Sequence, residues 1–416
     1  MVCVFRTPLR IGEGCGVQST QKFEGDNKNM WKFLGKRLLQ MFITLLMFQT
    51  VTYFLMDAQP GDIADLLTMN PDIPPAERDR IRQDLGLDRP PVERFFKYVG
   101  NFYRGDMGVS FSQFPRPVTE IIFERLPRTL VLFLTASVIS FWAGYVSGKV
   151  LAWKRGGALE YSSTLVGVIL YTVFTPWFAL MMIWLFAVYL DWLPPGKFLD
   201  PIIWLDAPEG LHANNVFLRM IWSALIASGV LVAGLVFTAR LSTQLRRLGR
   251  WISFIVPMIG LFVYWRFVAV GFNSYAWDIL QHLVLPVLTV TLIAYGGTML
   301  LMRTSMLETL REDYILTARA KGLSEKVVRD KHAARNALLP VWTGLVFSIG
   351  GSVSGGIITE TVFSWPGLGL TLLTAAQVED IPLAMGALTI TGLLTLVSHL
   401  VADVGYAFLD PRIRYN

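Results

Sequence analysis

Residues 282–302 read HLVLPVLTVTLIAYGGTMLLM, and residues 303–340 follow as RTSMLETLREDYILTARAKGLSEKVVRDKHAARNALLP. The first stretch carries no Asp, Glu, Lys or Arg and is long enough for a helix to cross a hydrocarbon layer about 30 Å thick. The second turns abruptly basic, and residues 338–359 are apolar again. Leu307, Leu310, Tyr314 and Ala318 recur at three- and four-residue steps, which predicts one apolar helical face. Arg319 and Lys321 stand in the last turn of that helix, where cations suit its dipole, and Gly322 is placed to end it. Ser324 is a candidate N-cap with Glu325 in the following first turn. The second helix is predicted to run to Asn336, with Pro340 marking the start of the next span. A short helix, a glycine turn and a second helix thus stand on a membrane face as a compact basic knob.

Working outward, further apolar runs predict spans at 38–56, 129–152, 165–190, 220–239, 251–271, 282–302, 338–359 and 383–409. Eight spans put both termini on one side. Lys and Arg choose that side. Lys32, Lys36 and Arg37 precede the first span, and Lys149, Lys154 and Arg155 separate the second from the third. Arg240, Arg246, Arg247 and Arg250 lie between the fourth and fifth, and Arg412 and Arg414 end the chain. With the basic 303–336 segment they all fall on one face, which the positive-inside rule makes cytoplasmic. The short loops 191–219, 273–281 and 360–382 on the other face are poor in Lys and Arg. The long segment 57–128 holds many arginines, but the rule does not bind segments beyond about 60 residues.

The composition agrees with this reading. Of 416 residues, 53% are hydrophobic and 16% charged, against roughly a quarter charged in soluble chains. The net charge of +6 sits between apolar blocks, a distribution suited to an inner leaflet and not to nucleic acid. Cys3 and Cys15, the two cysteines, form neither a disulfide framework nor a metal-ligand spacing. Both fall in residues 1–29, a polar stretch without an apolar core. It is no signal peptide, and we expect it to be disordered or dispensable ahead of a start at Met30. The expected organisation is therefore a 1–29 extension, a first transmembrane helix at 30–56 and an ordered external segment at 57–128. Spans two and three follow at 129–204, an inserted transmembrane hairpin at 205–278, and a core at 279–416 that carries the 303–336 loop. In the external segment, Pro74-Pro75 can open a helix closed by Gly86. Pro91 can open a second with an aromatic face of Phe95, Phe96, Tyr98, Val99, Phe102 and Tyr103, lying in the outer interface or against the spans.

The basic knob resembles the EAA loop of ABC importer permeases, in the variant found in dipeptide, oligopeptide and nickel importers. Thr317-Ala318-Arg319-Ala320-Lys321-Gly322 matches that subfamily's T-A-R-A-K-G run. His332-Ala333 and Arg335-Asn336, then Pro340, match its H-A-x-R-N-x-x-x-P run. Leu316 and Thr317 depart from the Glu and first Ala of the general motif. Pro60-Gly61-Asp62, Gly86-Leu87-Asp88, Gly105-Asp106-Met107-Gly108 with Ser110, Arg125-Leu126-Pro127, Glu360-Thr361-Val362-Phe363, Trp365-Pro366-Gly367-Leu368-Gly369 and Asp410-Pro411-Arg412 are similar to family signatures elsewhere. The resemblance covers about 31–204 and 279–416; the 205–278 insert adds a hairpin, and a hairpin preserves the sidedness of every later loop.

The resemblance implies an all-α polytopic membrane protein that pairs with a second related permease subunit. It also implies two cytoplasmic ATPase subunits, an external substrate-binding protein and contact with membrane lipid. No G-x-x-x-x-G-K-[ST] phosphate loop is present, so ATP and Mg belong to partner subunits and the chain is a transport subunit with no cofactor of its own and no catalytic or metal residues. The coupling residues it implies are Thr317, Ala318, Arg319, Ala320, Lys321, Gly322, His332, Arg335 and Asn336. Di- or oligopeptides are the implied cargo; nickel chelates or oligosaccharides are the alternative within the family. A secondary transporter or a non-transporting membrane assembly protein is the alternative outside it. For a weakly polar path we select Tyr295, Thr298, Ser348, Ser352 and Ser354, with Thr289, Thr291 and Thr359 as further hydroxyls that serve equally as helix–helix glue. Asp403 is read as a structural pairing, His399 as a packed histidine and His282 as interfacial.

Overall fold

The computed structural model describes residues 15–58, 80, 90–239, 242–269 and 271–409. Most of these are helical, and one isolated antiparallel bridge, Val109 with Pro117, is the sole extended pairing among them. Backbone polar groups in hydrocarbon must be bonded within their own segment, and helices achieve that. The chain is an all-α polytopic membrane protein.

The first helix, α1 (Cys15–Asp57), carries an apolar stretch at Leu34–Met56. Helix α2 (Pro91–Tyr103) lies against the spans. Phe95 meets Tyr53 and Phe54, Tyr103 meets Phe42, and the Tyr98 hydroxyl lies 3.2 Å from that of Thr389. Apart from Arg80, the Pro74–Gly86 helix falls outside the described residues, as do the P-G-D and G-L-D matches and the C-terminal D-P-R match. Helix α3 (Val118–Trp153) runs through Pro127 and begins earlier than the predicted second span.

The predicted third span, 165–190, is not one continuous helix. It is α4 (Ala158–Thr172) and α5 (Thr175–Ile183), the latter continued by a π-helical segment Trp184–Tyr189, with a bend of 105° between them. Pro176 has no N–H to return to the Thr172 carbonyl and its ring would crowd that carbonyl, so the helix breaks at Val173 and Phe174, with ψ 140° and 110°, despite the hydropathy of the run. After a short helix α6 (Pro201–Leu205), the inserted region forms α7 (Ala213–Ala239) and α8 (Thr243–Val263, extended by a π-helical Tyr264–Val268). They pack closely on each other, with Gly234 against Ser253 and Trp265 Nε1 donating to Ser223 Oγ at 3.2 Å. At the foot of α7, Val216 and Phe217 are buried, whereas most other side chains of the hairpin are exposed.

Helix α9 (Asn273–Thr309) is roughly 55 Å long at 1.5 Å per residue, well beyond the hydrocarbon thickness, so it carries the sixth span onto the basic face. Then come α10 (Asp313–Ala320), a short α11 (Glu325–Val327) with a π-helical Val328–Ala333, and α12 (Ala334–Gly355). Two short helices, α13 (Ile357–Val362) and α14 (Leu368–Gln377), precede α15 (Ile381–Leu409). Among the described residues six helices are long and apolar enough to cross a membrane, or seven if the bent α4–α5 pair counts as one. Helix α12 occupies the place of the seventh predicted span, and the side chains of its residues 352–355 lie outside those described.

Two buried carboxylates tie the loops at the end opposite the basic face. Glu360 accepts from Thr129 Oγ1 at 2.7 Å and from Leu370 N at 2.8 Å, and Thr129 Oγ1 accepts in turn from Leu368 N at 2.7 Å. A Cβ at Gly367 would collide with both partners, so only glycine fits. Asp380 accepts from Ser110 Oγ at 2.5 Å and from Ser112 N and Oγ at 2.9 and 2.7 Å, fastening the 105–117 loop to the start of α15. Beside them Trp365, Phe198 and Phe217 form edge-to-face contacts in the largest core cluster. His282, expected at the interface, is buried: its Nδ1 lies 2.9 Å from the Asp278 carbonyl and 3.3 Å from Asp278 Oδ1.

Candidate coupling site on the basic face

The helix–glycine–helix element forms, with its phase shifted. Helix α9 stops at Thr309, and Leu310–Glu312 turn through bonds such as Arg311 N to the Glu308 carbonyl at 3.0 Å. The break resets the helical phase. Ile315 and Ala318 are therefore the buried residues of α10, while Tyr314, which the continuous pattern put inward, is exposed. Gly322 has φ +74°, the left-handed conformation that closes α10. Ser324 sits at the N-cap position, but its carbonyl, not its side chain, receives Val327 N and Val328 N at 2.8 and 3.0 Å. The second helix does not stop near Asn336. It passes through the π-helical turn directly into α12, and Pro340 lies inside that helix.

The base of the element is a dry cluster. Ile315, Ala318, Val328, Ala333 and Ala334 pack with Met302 and Met306 of α9, Phe141 and Ala152 of α3, and Val341 of α12. Burying such side chains contributes about 1.5–3 kcal/mol for each large aliphatic one, so the element is rigidly seated. Inside the seam, Ser305 Oγ donates to the Ala337 carbonyl at 3.0 Å. Above the base, Thr317, Arg319, Ala320, Lys321 and Gly322 are exposed, as are Arg335 and Asn336, whereas His332 is half-buried and Ala318 buried. Leu316 and Leu323 are exposed beside them, an apolar pair within a basic rim. Asn336 Nδ2 donates to the Tyr314 hydroxyl at 2.8 Å, and Arg319 Nε lies 3.3 Å from Glu325 Oε1 across the turn. The latter pair is solvent-exposed and worth under about 1 kcal/mol.

A lateral brace comes from residues the sequence reading passed over. Tyr145, Lys149 and Trp153 form a stripe at four-residue spacing on the last turns of α3. Lys149 Nζ reaches Asp330 Oδ1 at 3.1 Å, and Arg329 grips both oxygens of Asp330 at 2.9 Å each. The Arg329 bonds first, and Lys149 after them, hold the Asp330 carboxyl down at about 2. The guanidinium carbons of Arg319 and Arg329 each lie 5.9 Å from the Trp153 ring centre. A second brace joins Arg303 of α9 to the buried Glu160 at the start of α4, with Nε and Nη2 at 3.0 and 2.5 Å from Oε1. The signal for the first brace was present as an aromatic and a cation one turn apart at the end of a span. Which segment they would meet was not.

The selected path residues divide. Ser348 is exposed and Tyr295 half-buried. Thr298 packs against Gly144 of α3, where an added Cβ would lie 2.8 Å from it. Thr289 and Thr291 are buried, and the Thr289 hydroxyl is spent on the Leu285 carbonyl. The side chains of Ser352 and Ser354 lie outside the described residues. Asp403 pairs with Arg37 at 3.2 Å beside a cavity of about 440 Å³, and His399 meets the Phe347 ring edge-on. Among the described residues no group of three His, Cys, Asp or Glu side chains is arranged to hold a metal ion.

Comparison with known proteins adds an independent line. The family model described as "Binding-protein-dependent transport system inner membrane component" matches residues 229–415, and its N-terminal counterpart matches residues 30–133. The oligopeptide transport system permease protein of Bacillus subtilis is 30% identical over 386 residues, covering 93% of this chain and 100% of that protein. The di/tripeptide transport system permease protein of Pseudomonas aeruginosa is 28% identical over 387 residues with the same coverage. The dipeptide transport system permease protein of Escherichia coli K12 matches to the same extent.

Proposed function

This chain belongs to the binding-protein-dependent transport system inner membrane components, and on that premise we propose that it is one of two transmembrane subunits of an ATP-driven peptide importer. The observation that carries the reading is the α10–Gly322–α11 element. Its apolar base is locked into α3, α9 and α12, while its rim of Arg319, Lys321, Leu316 and Leu323 stands bare. A rigid exposed knob on a buried base is what a partner protein needs to push spans from outside the membrane. The rim accordingly faces the cytoplasm, where two ATPase subunits receive it and supply ATP and Mg. Thr317, Ala318, Arg319, Ala320, Lys321, Gly322, His332, Arg335 and Asn336 make up the element, with Ala318 anchoring it and the exposed members contacting the ATPase. Closure of the ATPases then tilts α9 and α12, and through the Lys149–Asp330 and Arg303–Glu160 braces it also moves α3 and α4. Both termini lie on the cytoplasmic side, a related permease completes the path, and an external binding protein delivers cargo.

Peptides are the cargo class because the relatives aligned over 93% of the chain are named for di-, tri- and oligopeptide transport. One feature, the broken α4–α5 pair, also occurs in ion-driven transporters. Purification of the chain with its neighbours and reconstitution into vesicles separates the readings. We expect two ATPases to co-purify and labelled dipeptide to accumulate only with ATP and binding protein. Uptake driven by a proton or sodium gradient without ATPases would overturn the proposal.

A further inference from the structure

The α4–α5 break can be placed by depth. Arg303 of α9 and Glu160 of α4 pair at the basic-face end of both helices. From Glu160 to Tyr171 is roughly 16 Å along a helix, about half of a 30 Å hydrocarbon layer. Along α9 the level is somewhat shallower, about 9–10 Å from Arg303: Gly296 fits against the Gly167 carbonyl, and the Tyr171 ring lies over Gly297, where an added Cβ would sit 2.9 Å from it. Just beyond Tyr171 the chain leaves the helix, with ψ 140° at Val173 and 110° at Phe174, and α5 departs at 105°. The break therefore falls close to the bilayer midplane.

A helix ending there leaves its last carbonyls without intrahelical partners. Such backbone is not tolerated against lipid; at that depth it must be covered by protein or line a water-filled cavity. The chain itself does not cover it: Tyr171 is 63% exposed, Phe174 71% and Trp177 54%, and Thr172 is exposed too. The geometry points to the α4–α5 break as a cargo-contact station on the translocation path, where carbonyl oxygens of residues 170–173 and the rings of Tyr171 and Phe174 meet the N–H groups and ammonium end of a peptide. This assignment rests on the transport reading above and adds residues outside the path set chosen from the sequence. Carbonyl oxygens and aromatic faces are both electron-rich, and neither suits a carboxylate. Residues 170–177 carry no Asp, Glu, Lys or Arg, so peptide in transit meets acceptors without an ion pair, which favours release over tight holding.

The test is aqueous accessibility in the intact complex. Cys3 and Cys15 are replaced by serine, Phe174→Cys is introduced, and Val232→Cys on the exposed hairpin serves as the lipid-facing reference. A charged, membrane-impermeant thiosulfonate is applied to the complex in nanodiscs, without nucleotide and with a non-hydrolysable ATP analogue. We expect Phe174→Cys to react at least about tenfold faster than Val232→Cys in one of these states. A free dipeptide should slow that reaction, and its N-acetylated form should slow it less. Equal slow rates at both positions in every state would overturn the station, and equal protection by the acetylated peptide would overturn the ammonium preference. These failures are distinct from failure of the transport reading. A wild-type chain that recruits no ATPase and moves no peptide overturns the reading, whereas one that does both while Phe174→Cys stays unreactive overturns only the station.

Discussion

Gly322→Val isolates the backbone of the coupling turn from its surroundings. At φ +74°, a Cβ built on Gly322 finds no heavy atom within 4 Å, so the substitution meets no neighbour and its cost is conformational alone. The left-handed conformation costs a residue with a Cβ about 1–2 kcal/mol, and a β-branched residue sits at or above the upper end. Since 1.4 kcal/mol is tenfold in a population, about 2 kcal/mol would reduce the docking-competent turn by roughly thirtyfold. The buried base is untouched, because Ile315, Ala318 and Val328 keep their partners. Membrane insertion and pairing with the partner permease should therefore stay normal, while ATPase co-purification and coupled uptake fall. Two controls sharpen the reasoning. Asn tolerates φ > 0, so Gly322→Asn should be mild, and Gly322→Ala should lie between Asn and Val. Melting temperature, ATPase retention and uptake of labelled dipeptide are measured for all three. Wild-type behaviour of Gly322→Val, or damage by Asn equal to that by Val, would refute the argument from backbone strain.

Arg319→Ala with Lys321→Ala should weaken ATPase retention more at low salt than at high, since exposed charges act through a screened field; a loss independent of salt would point to packing instead. Thr129→Val leaves the buried Glu360 without its hydroxyl donor and should cost about 1.5–3 kcal/mol, read as a lowered melting temperature that Thr129→Ser restores. Lys149→Met and Asp330→Asn should each loosen the knob, and their double mutant should be less than additive in uptake per ATP hydrolysed. Asp330, held at about 2 against an ordinary 3.8, contributes stability that is full above its unfolded value and lost only as pH falls toward 2, so ATPase retention should be flat across about pH 6–8. A cysteine at Ser242, at the turn of the hairpin, should be shielded from an impermeant reagent added outside intact cells, and rapid labelling there would reverse the assigned orientation.

Membrane class, helical content and the basic knob are determined by local sequence. Hydropathy over some twenty residues and the spacing of Lys and Arg act through the solvent, and the solvent acts on each segment alone. Gly322 was legible for the same reason, since a turn's φ is a local property. The tertiary structure decided what local patterns leave open. The apolar run at 165–190 had the length of a span, but Pro176 broke it and packing against Gly296 and Gly297 fixed where its first half goes. Tyr314 fitted the helical period of Leu307 and Leu310, yet the turn at 310–312 reset the phase and buried Ile315 in its stead. Thr298 was selected for its hydroxyl, and only the tertiary structure lays Gly144 of α3 against it. Lys149 and Asp330 are far apart in sequence and meet only because α3 and the segment after Gly322 are brought side by side. Pairings of that kind depend on which helices become neighbours, and a one-dimensional pattern of polarity carries no term for that.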